Sequence, residues 1–484
     1  MAVNQKSPFM LKIQKKESEN SPKLWVLTED KKYLDIKFQK EKSDWIKKYL
    51  FDNKKDIFIL STLNKPLEIF IRPKKEDKDF SKQKENCRIL AAKALTFFED
   101  AGCLSVEIVG NVCKEHLLAT AEGLSLSAYR FVKYFSDSED KKCKISEITI
   151  ISSEITQSEV DEINIVNKAV AQVRNWVNEP ACFLTATKFA EEMAVLAKNS
   201  GATVEILSKK KIEALKMGGL LAVNMGSEEP PTFTVIEWKP QNALNQQPIV
   251  LIGKGVTFDT GGSNLKTENY MDEMKTDMAG AATVAAALCA VAENKLPVHI
   301  VALIPATDNK LSNNSLLPSD IITMHNGKTV EVCNTDAEGR LILADAISYA
   351  SRFNPMLIIN MATLTGSAKR AIGKYGMVMM GNARKEMEQL KQKGDELYER
   401  VAEFPFWNEY AEELKSEIAD MKNIGSSEGG AITAGKFLEK FADFPFIHLD
   451  IGGCVYLDKP YRWQSAGGTG TGVRLLYHFL KTIN

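Results

Sequence analysis

The sequence predicts an α/β protein, with a small N-terminal α/β domain joined by a long helix to a larger C-terminal α/β/α domain built on a mixed central sheet. Three observations lead to this expectation. Short β-branched runs alternate with amphipathic stretches along the chain, the pattern of interleaved strands and helices. The run Leu357-Ile358-Ile359-Asn360-Met361 is almost wholly apolar, as strands covered on both faces are. The length of 484 residues exceeds what one hydrophobic core serves, at roughly 150 residues per domain.

In order along the chain, residues 56–60 and 67–71 read as strands and 87–101 as an amphipathic helix. Residues 104–109 read as a strand, 117–134 as a helix and 144–151 as a closing strand. Together they make the small domain, residues 1–155, which carries no catalytic constellation. Its one histidine, His116, reads as a surface or capping residue. Residues 158–177 form one long helical pattern with Val160, Ile163, Ile165, Val166, Ala169, Val173 and Trp176 on its apolar face, and Asn178-Glu179-Pro180 stops it. This is the expected connector, over 156–180. The remainder, 181–484, alternates more regularly, with helices at 186–199, 278–293, 340–351 and 472–481 and strands at 203–207, 233–238, 249–252, 298–304 and 357–361. Sites in such sheets lie at the carboxyl ends of central strands.

Composition excludes several classes of function. Hydrophobic content is 44%, charged content 26% and formal net charge -1, which offers no attraction for nucleic acid or an anionic membrane. The lysines at 73–78 are interleaved with acids and read as a solvated loop. The apolar run 278–292 is too short to cross a bilayer of ~30 Å and reads as a buried helix. The first twenty residues lack the apolar core of a signal peptide. The eight cysteines are scattered without CxxC pairs, so neither a zinc ribbon nor a disulfide framework is expected, and reduced thiols in the cytoplasm are.

Chemistry concentrates in two stretches. Asn334-Thr335-Asp336-Ala337-Glu338-Gly339-Arg340-Leu341 lies between a β-branched run, 328–332, and a helical pattern from 340. Asp336 and Glu338, two residues apart in an extended segment, are expected to face one side, with Gly339 allowing a tight turn. The second stretch follows the strand 249–252. It contains Lys254, then Asp259 before Gly261-Gly262, then Lys266, and it ends in Met271-Asp272-Glu273-Met274-Lys275-Thr276-Asp277 ahead of a helix. Singly, each residue has an ordinary explanation: a turn lysine, an Asx turn at Asp259, an N-cap at Asp277, surface charge at Asp272 and Glu273. Their shared placement at strand ends and helix starts argues otherwise. Four carboxylates at one sheet edge need compensating charge. A pair of divalent cations ~3.5–4 Å apart is the arrangement hydrolases use. Carboxylate oxygens suit Zn, Mn, Co or Mg. A buried lysine beside a metal can serve as a neutral ligand.

The octapeptide 334–341 resembles the signature of the leucyl (cytosol) aminopeptidase family of dinuclear metal exopeptidases. The stretches 253–266, 271–277, 360–366 and His448-Leu449-Asp450-Ile451 resemble that family too, over essentially all of 160–484. The resemblance implies that Lys254, Asp259, Asp277 and Glu338 bind one metal, and Asp259, Asp336 and Glu338 the other. It implies that Lys266 and Arg340 are catalytic, with a bicarbonate ion on Arg340 as general base. Met274, Asn334, Ala337, Thr363, Leu364 and Gly366 would line or position a pocket for the first residue of a peptide, Leu, Met or another apolar one preferred. Plain core packing is the alternative for Met274 and Leu364. The implied reaction anchors the peptide's α-amino group on one metal and attacks the first peptide bond with water activated by both. A cytoplasmic homohexamer loaded with Zn or Mn, with Co or Mg as alternatives, is the implied assembly. Thr260, Ser263-Asn264, Thr267 and Gly452 depart from the commonest family pattern, but none of these changes removes a ligand.

Other readings are weaker. Two-metal phosphatases usually add histidine ligands, and His325 lies nine residues before Asn334. A non-catalytic scaffold would be expected to lose part of the set Lys254, Asp259, Lys266, Asp277, Asp336, Glu338 and Arg340, which is intact. Cys333 has no histidine following at a distance useful for a thiol nucleophile. The glycines at 467–472 have neither the strand nor the lysine of a phosphate loop and read as a turn before the last helix.

Overall fold

The computed structural model describes residues 10–73, 79–267 and 271–483; the lysine-rich stretch 74–78 lies outside them. The chain divides into two compact units, one through Ala171 with Asp458–Ala466, the other Gln172–Leu457 with Gly467–Asn484. The helix Gln157–Asn178 begins in the first and ends in the second.

The first unit holds a six-stranded sheet in the order Met10–Gln14, Glu147–Ile151, Ser105–Gly110, Lys23–Val26, Glu68–Ile71, Ile57–Leu60. The pairings are parallel except the last, which is antiparallel. The helix Phe80–Asp100 starts at Asp79, whose carboxylate accepts from the N–H groups of Ser81 and Lys82. It packs with Lys114–Ser127 so closely that a Cβ on Gly123 would meet the Arg88 Cα at 2.5 Å. A second core of Trp25, Phe38, Phe70 and Leu50 forms around the early helices Lys31–Lys37 and Lys40–Ile46. Those helices and the strands Met10–Gln14 and Lys23–Val26 are not among the elements expected from sequence, because segments of four to seven residues carry too little periodicity to stand out from their charged neighbours. The helical pattern over 117–134 ends in the fold at Ser127. His116 is buried rather than superficial, with its Nδ1 3.1 Å from the Cys113 Sγ.

The second unit is built on a nine-stranded mixed sheet. Its path is Val401–Glu403, Met377–Gly381, Phe446–Asp450, Leu357–Ala362, Ile249–Gly253, Ile300–Asn309, Thr232–Trp238, Thr203–Leu207, with Gly255–Asp259 also paired to Ile300–Asn309. The four central strands are parallel, so their carboxyl ends share one edge. The strand Ile300–Asn309 runs five residues beyond its expected end. Pro305 does not end it, because it falls where that strand changes neighbour, between the register of 300–303 with Ile249–Ile252 and that of Ala306 with Gly255. Both faces are covered. Val250 and Ile252 point into a core with Leu341, Leu343, Ile347 and Phe437, supplied by the helices Glu338–Ala350 and Gly430–Glu439. On the other face, Gly253 lies against Ala281 of the helix Ala279–Glu293. That apolar helix is a core element: every residue from Ala279 to Ala292 is buried.

Close approach is what lets this helix reach the sheet. A Cβ on Gly280 would sit 2.2 Å from the Met361 carbonyl oxygen, which is backbone and cannot yield. Gly280→Val should therefore destabilise the fold by about 1–3 kcal/mol or more; urea unfolding monitored by circular dichroism checks this.

Candidate metal centre

The carboxyl edge of the central strands brings the predicted acids together. Lys254 leaves the strand Ile249–Gly253, Asp259 ends Gly255–Asp259, and Asp277 precedes the helix Ala279–Glu293. Asp336 sits in a turn closed by its own N–H donating to the Asn334 Oδ1 at 2.8 Å. Glu338 is the first residue of its helix. The expectation of an extended Asp336–Glu338 pair is thus corrected, because a turn followed by a helix start puts both acids on one side. Gly339 is helical, and its role is room: a Cβ there would meet the Lys254 Cε at 2.5 Å. Asp277 does not cap its helix; its side chain turns to Lys254.

Ligand oxygens of Asp259, Asp336 and Glu338 lie within 4.8 Å of one another, close enough to hold a metal ion. Lys254 Nζ donates to Asp277 Oδ1 (2.8 Å) and the Thr363 carbonyl (3.0 Å) and stands 2.8 Å from Glu338 Oε1. Lys266 Nζ lies 2.7 Å from Asp259 Oδ2 and 2.5 Å from Asp336 Oδ1. Glu338 Oε1 and Asp277 Oδ2 sit at ion-pair distance from Lys254, but in directions that make no hydrogen bond. Buried carboxylate oxygens with a cation beside them and no hydrogen bond are suited to metal ligation.

Electrostatics agree with the geometry. Burial would lower the amine pKa of Lys254, but Asp277, Glu338 and Asp259 outweigh it and the shift is upward. Burial likewise opposes protonation of Lys266, and Asp259, Glu338 and Asp336 overturn it. Burial, then Glu338 and Asp259, push the Asp336 carboxyl up to about 7. Asp277 is raised well above its usual range, first by burial. Arg340 is pulled down to about 10 by burial, against the opposing pull of Glu338 and Asp450. Its Nη1 donates to the Asn423 carbonyl (2.7 Å), and its Nε has no hydrogen-bond partner.

The remaining predicted residues surround this cluster. Thr363 Oγ1 donates to Asp277 Oδ1 at 2.8 Å. Met274, Asn334 and Leu364 are half-buried, Ala337 is buried and Gly366 is exposed. Leu364 also packs against the core. His325 is turned away, with its ring on Ser348, and His448 pairs with Asn360 across adjacent strands. Burial and the Arg340 charge hold the His448 imidazole near 3 and therefore neutral.

Sequence patterns missed the residues that fix the acids. Asn309 Nδ2 donates to Asp259 Oδ1 at 2.8 Å and to the Thr335 carbonyl at 3.1 Å. Extending the strand past Pro305 would have brought Asn309 to this edge. Thr335 and Asn264 bond reciprocally: each main-chain N–H donates to the other's side-chain oxygen at 2.8 Å. One of the departures from the family pattern, Asn264, thus ties the Lys266 loop to the octapeptide. Asp450 accepts from the Leu364 and Gly452 N–H groups and from Thr365 Oγ1 (2.7 Å), anchoring the turn at 363–366.

A carboxylate cluster with lysines, at the carboxyl edge of a mixed sheet in an α/β/α domain, is the setting in which metal-dependent hydrolases hold their ions. Comparison with known proteins narrows the class. A family model for the catalytic domain of the cytosol aminopeptidase family matches residues 171–477. The chain is 42% identical to a probable cytosol aminopeptidase of Chlorobium limicola, over 77% of this chain and 76% of that protein. It is 43% identical to one of Chlorobaculum tepidum, over 74% of each. Among solved structures, the bottromycin maturation enzyme BotP in complex with Mn superposes with a TM-score of 0.84 at 26% identity, covering 96% of this chain and 99% of that one. The chain belongs to the cytosol aminopeptidase family. It is a peptidase hydrolase, a metal-dependent aminopeptidase whose cofactor is a divalent metal.

Asn309 constrains Asp259 from outside the cluster. Asn309→Ala should weaken Mn binding by about 10- to 100-fold without unfolding the protein; calorimetric titration of the metal-free chain measures it.

Proposed function

We propose that this chain removes the first residue of peptides, preferring Leu, Met and other apolar residues, with two divalent ions held by Lys254, Asp259, Asp277, Asp336 and Glu338. The observation that carries this reading is the convergence of four acids and two lysines on one sheet edge, with carboxylate oxygens that make no hydrogen bond. In this assignment Asp259 and Glu338 serve both ions, Lys254 and Asp277 the first and Asp336 the second. Bound there, Zn or Mn supplies Lewis acidity and a water of lowered pKa.

The chain's own residues do the rest. Lys266 is partly exposed and cationic, so its ammonium can stabilise an oxyanion forming beside the cluster. Arg340 keeps a guanidinium whose one hydrogen-bond acceptor among the described residues is a neutral carbonyl, so it retains charge for an anion. That supports bicarbonate as its occupant, supplying a general base. The half-buried Met274 and Leu364, with Asn334, Ala337, Thr363 and the exposed Gly366, line the place of the first side chain. Such a pocket separates side chains by only ~1–3 kcal/mol per methylene, which favours broad apolar preference. A cytoplasmic homohexamer is the assembly proposed.

Hydrolysis of Leu-p-nitroanilide by the Mn- or Zn-loaded chain tests the reading. Activity should vanish with a chelator and return with metal. Asp336→Ala should abolish it while the far-ultraviolet circular dichroism stays unchanged; undiminished activity in that variant overturns the ligand assignment. Light scattering should give six times the 53.8 kDa chain mass, and a monomer removes the hexamer.

A further inference from the structure

Arg340 is held by a residue that no sequence pattern singles out. Asn423 follows the two-residue strand Met421–Lys422, which pairs in parallel with Thr329–Glu331. Asp420, just before it, fixes the start of this pairing by accepting from the Thr329 N–H and hydroxyl. The Asn423 N–H donates to the Glu331 carbonyl at 3.0 Å. Beyond that point the two backbones diverge, and the side chain of Asn423 continues the ladder. Its Oδ1 accepts from the N–H groups of Cys333 (2.8 Å) and Asn334 (3.3 Å), and its Nδ2 donates to the Asn334 carbonyl at 2.7 Å. One face of the amide meets two donors and the other an acceptor, so the bonding itself assigns its orientation. The residue is fully buried.

The same residue's carbonyl accepts from Arg340 Nη1 at 2.7 Å. Arg340 is itself buried, and its Nε has no partner. No carboxylate among the described residues lies at ion-pair distance from it: Glu338 and Asp450 act on it only through their charge. The direction of the guanidinium is therefore set by the Asn423 carbonyl, and the position of that carbonyl by the three side-chain bonds to Cys333 and Asn334.

We propose that Asn423 is the positioning residue for Arg340, locking the guanidinium to the octapeptide turn that carries Asp336 and Glu338. This rests on the assignment of Arg340 to catalysis. The residue type follows from the task. Two N–H groups and one carbonyl must be satisfied at once by a neutral group beside a cation. Aspartate would set an oxygen against the Asn334 carbonyl and bring a negative charge towards the guanidinium. Serine has a single oxygen, and glutamine is one methylene too long.

The test is a double-mutant cycle on the full-length, Mn-loaded enzyme with Leu-p-nitroanilide. Asn423→Ala should lower kcat by about 10- to 100-fold, the scale of a small misplacement, and move KM by less than about 3-fold. Arg340→Ala should lose at least as much. The double variant should be no slower than Arg340→Ala alone by more than about 2-fold, because the two residues act as one unit. Calorimetric Mn affinity should stay within about 3-fold of the parent in every variant. If Asn423→Ala does not fold, Asn423→Ser, a neutral change that keeps a single oxygen, carries the cycle, with the same expected pattern. Additive losses overturn the proposal, as does an unchanged kcat, or a fall in Mn affinity that tracks the fall in kcat. Full activity in Arg340→Ala removes the catalytic assignment of that arginine and this proposal together, whereas additive losses remove this proposal alone.

Discussion

Compensation of negative charge at one sheet edge is the constraint on which the second unit is organised. Asp259, Asp277 and Glu338 are almost wholly shielded from solvent, and Asp336 is partly so. Such a group of acids, ionised without cations, would be held apart by repulsion and by the cost of desolvation. Lys254 spans Asp277 and Glu338, and Lys266 spans Asp259 and Asp336. Each lysine thus joins acids from segments distant in sequence, and the protein gathers a ligand set that keeps its shape through the cations it already carries. In the proposed assignment, a divalent ion entering there meets oxygens already converged.

The geometry that permits this is made of backbone. Parallel strands end together, so Lys254, Asp259 and Thr363 leave the sheet at neighbouring points. Gly339 gives the Lys254 stem its passage beside the helix Glu338–Ala350, and Gly280 lets the helix Ala279–Glu293 settle against Met361. Gly261 and Gly262 take the left-handed conformation after Asp259, with φ of 88° and 63°. At Gly339, Gly261 and Gly262 a methyl group would displace an acid or one of the groups that hold it.

Around the charged groups stands a ring of neutral amides. Asn309 holds Asp259, Asn264 holds Thr335, Asn334 closes its own turn on Asp336, and Asn423 holds both that turn and Arg340. Amides suit this position because they orient carboxylates and backbone without altering the net charge of the cluster. Asp450 is the exception, a charged anchor. It faces the donors of Leu364, Thr365 and Gly452, and burial still pushes its carboxyl upward.

By itself, the sequence determined the α/β character, elements of the second unit such as Ile249–Gly253, Leu357–Ala362 and Ala279–Glu293, and the identity of every acid and base in the cluster, whereas the helices Arg384–Leu397 and Gly430–Glu439 and the strands Met377–Gly381 and Phe446–Asp450 emerged only in the fold. These properties are local: periodicity reports which face of an element is buried, and ligand chemistry is written in residue type. Early elements such as Lys23–Val26 and Lys31–Lys37 were not legible, because four to seven residues carry too little periodicity to stand out from their charged neighbours. Only the tertiary structure decided that Asp336 and Glu338 meet through a turn and a helix start, that His116 is buried, and that Asn309, Asn264 and Asn423 fix the site. An asparagine reads the same in a solvated loop and beneath a carboxylate. What distinguishes the two is the group brought opposite it by chain as much as 90 residues away, as between Asn423 and Cys333.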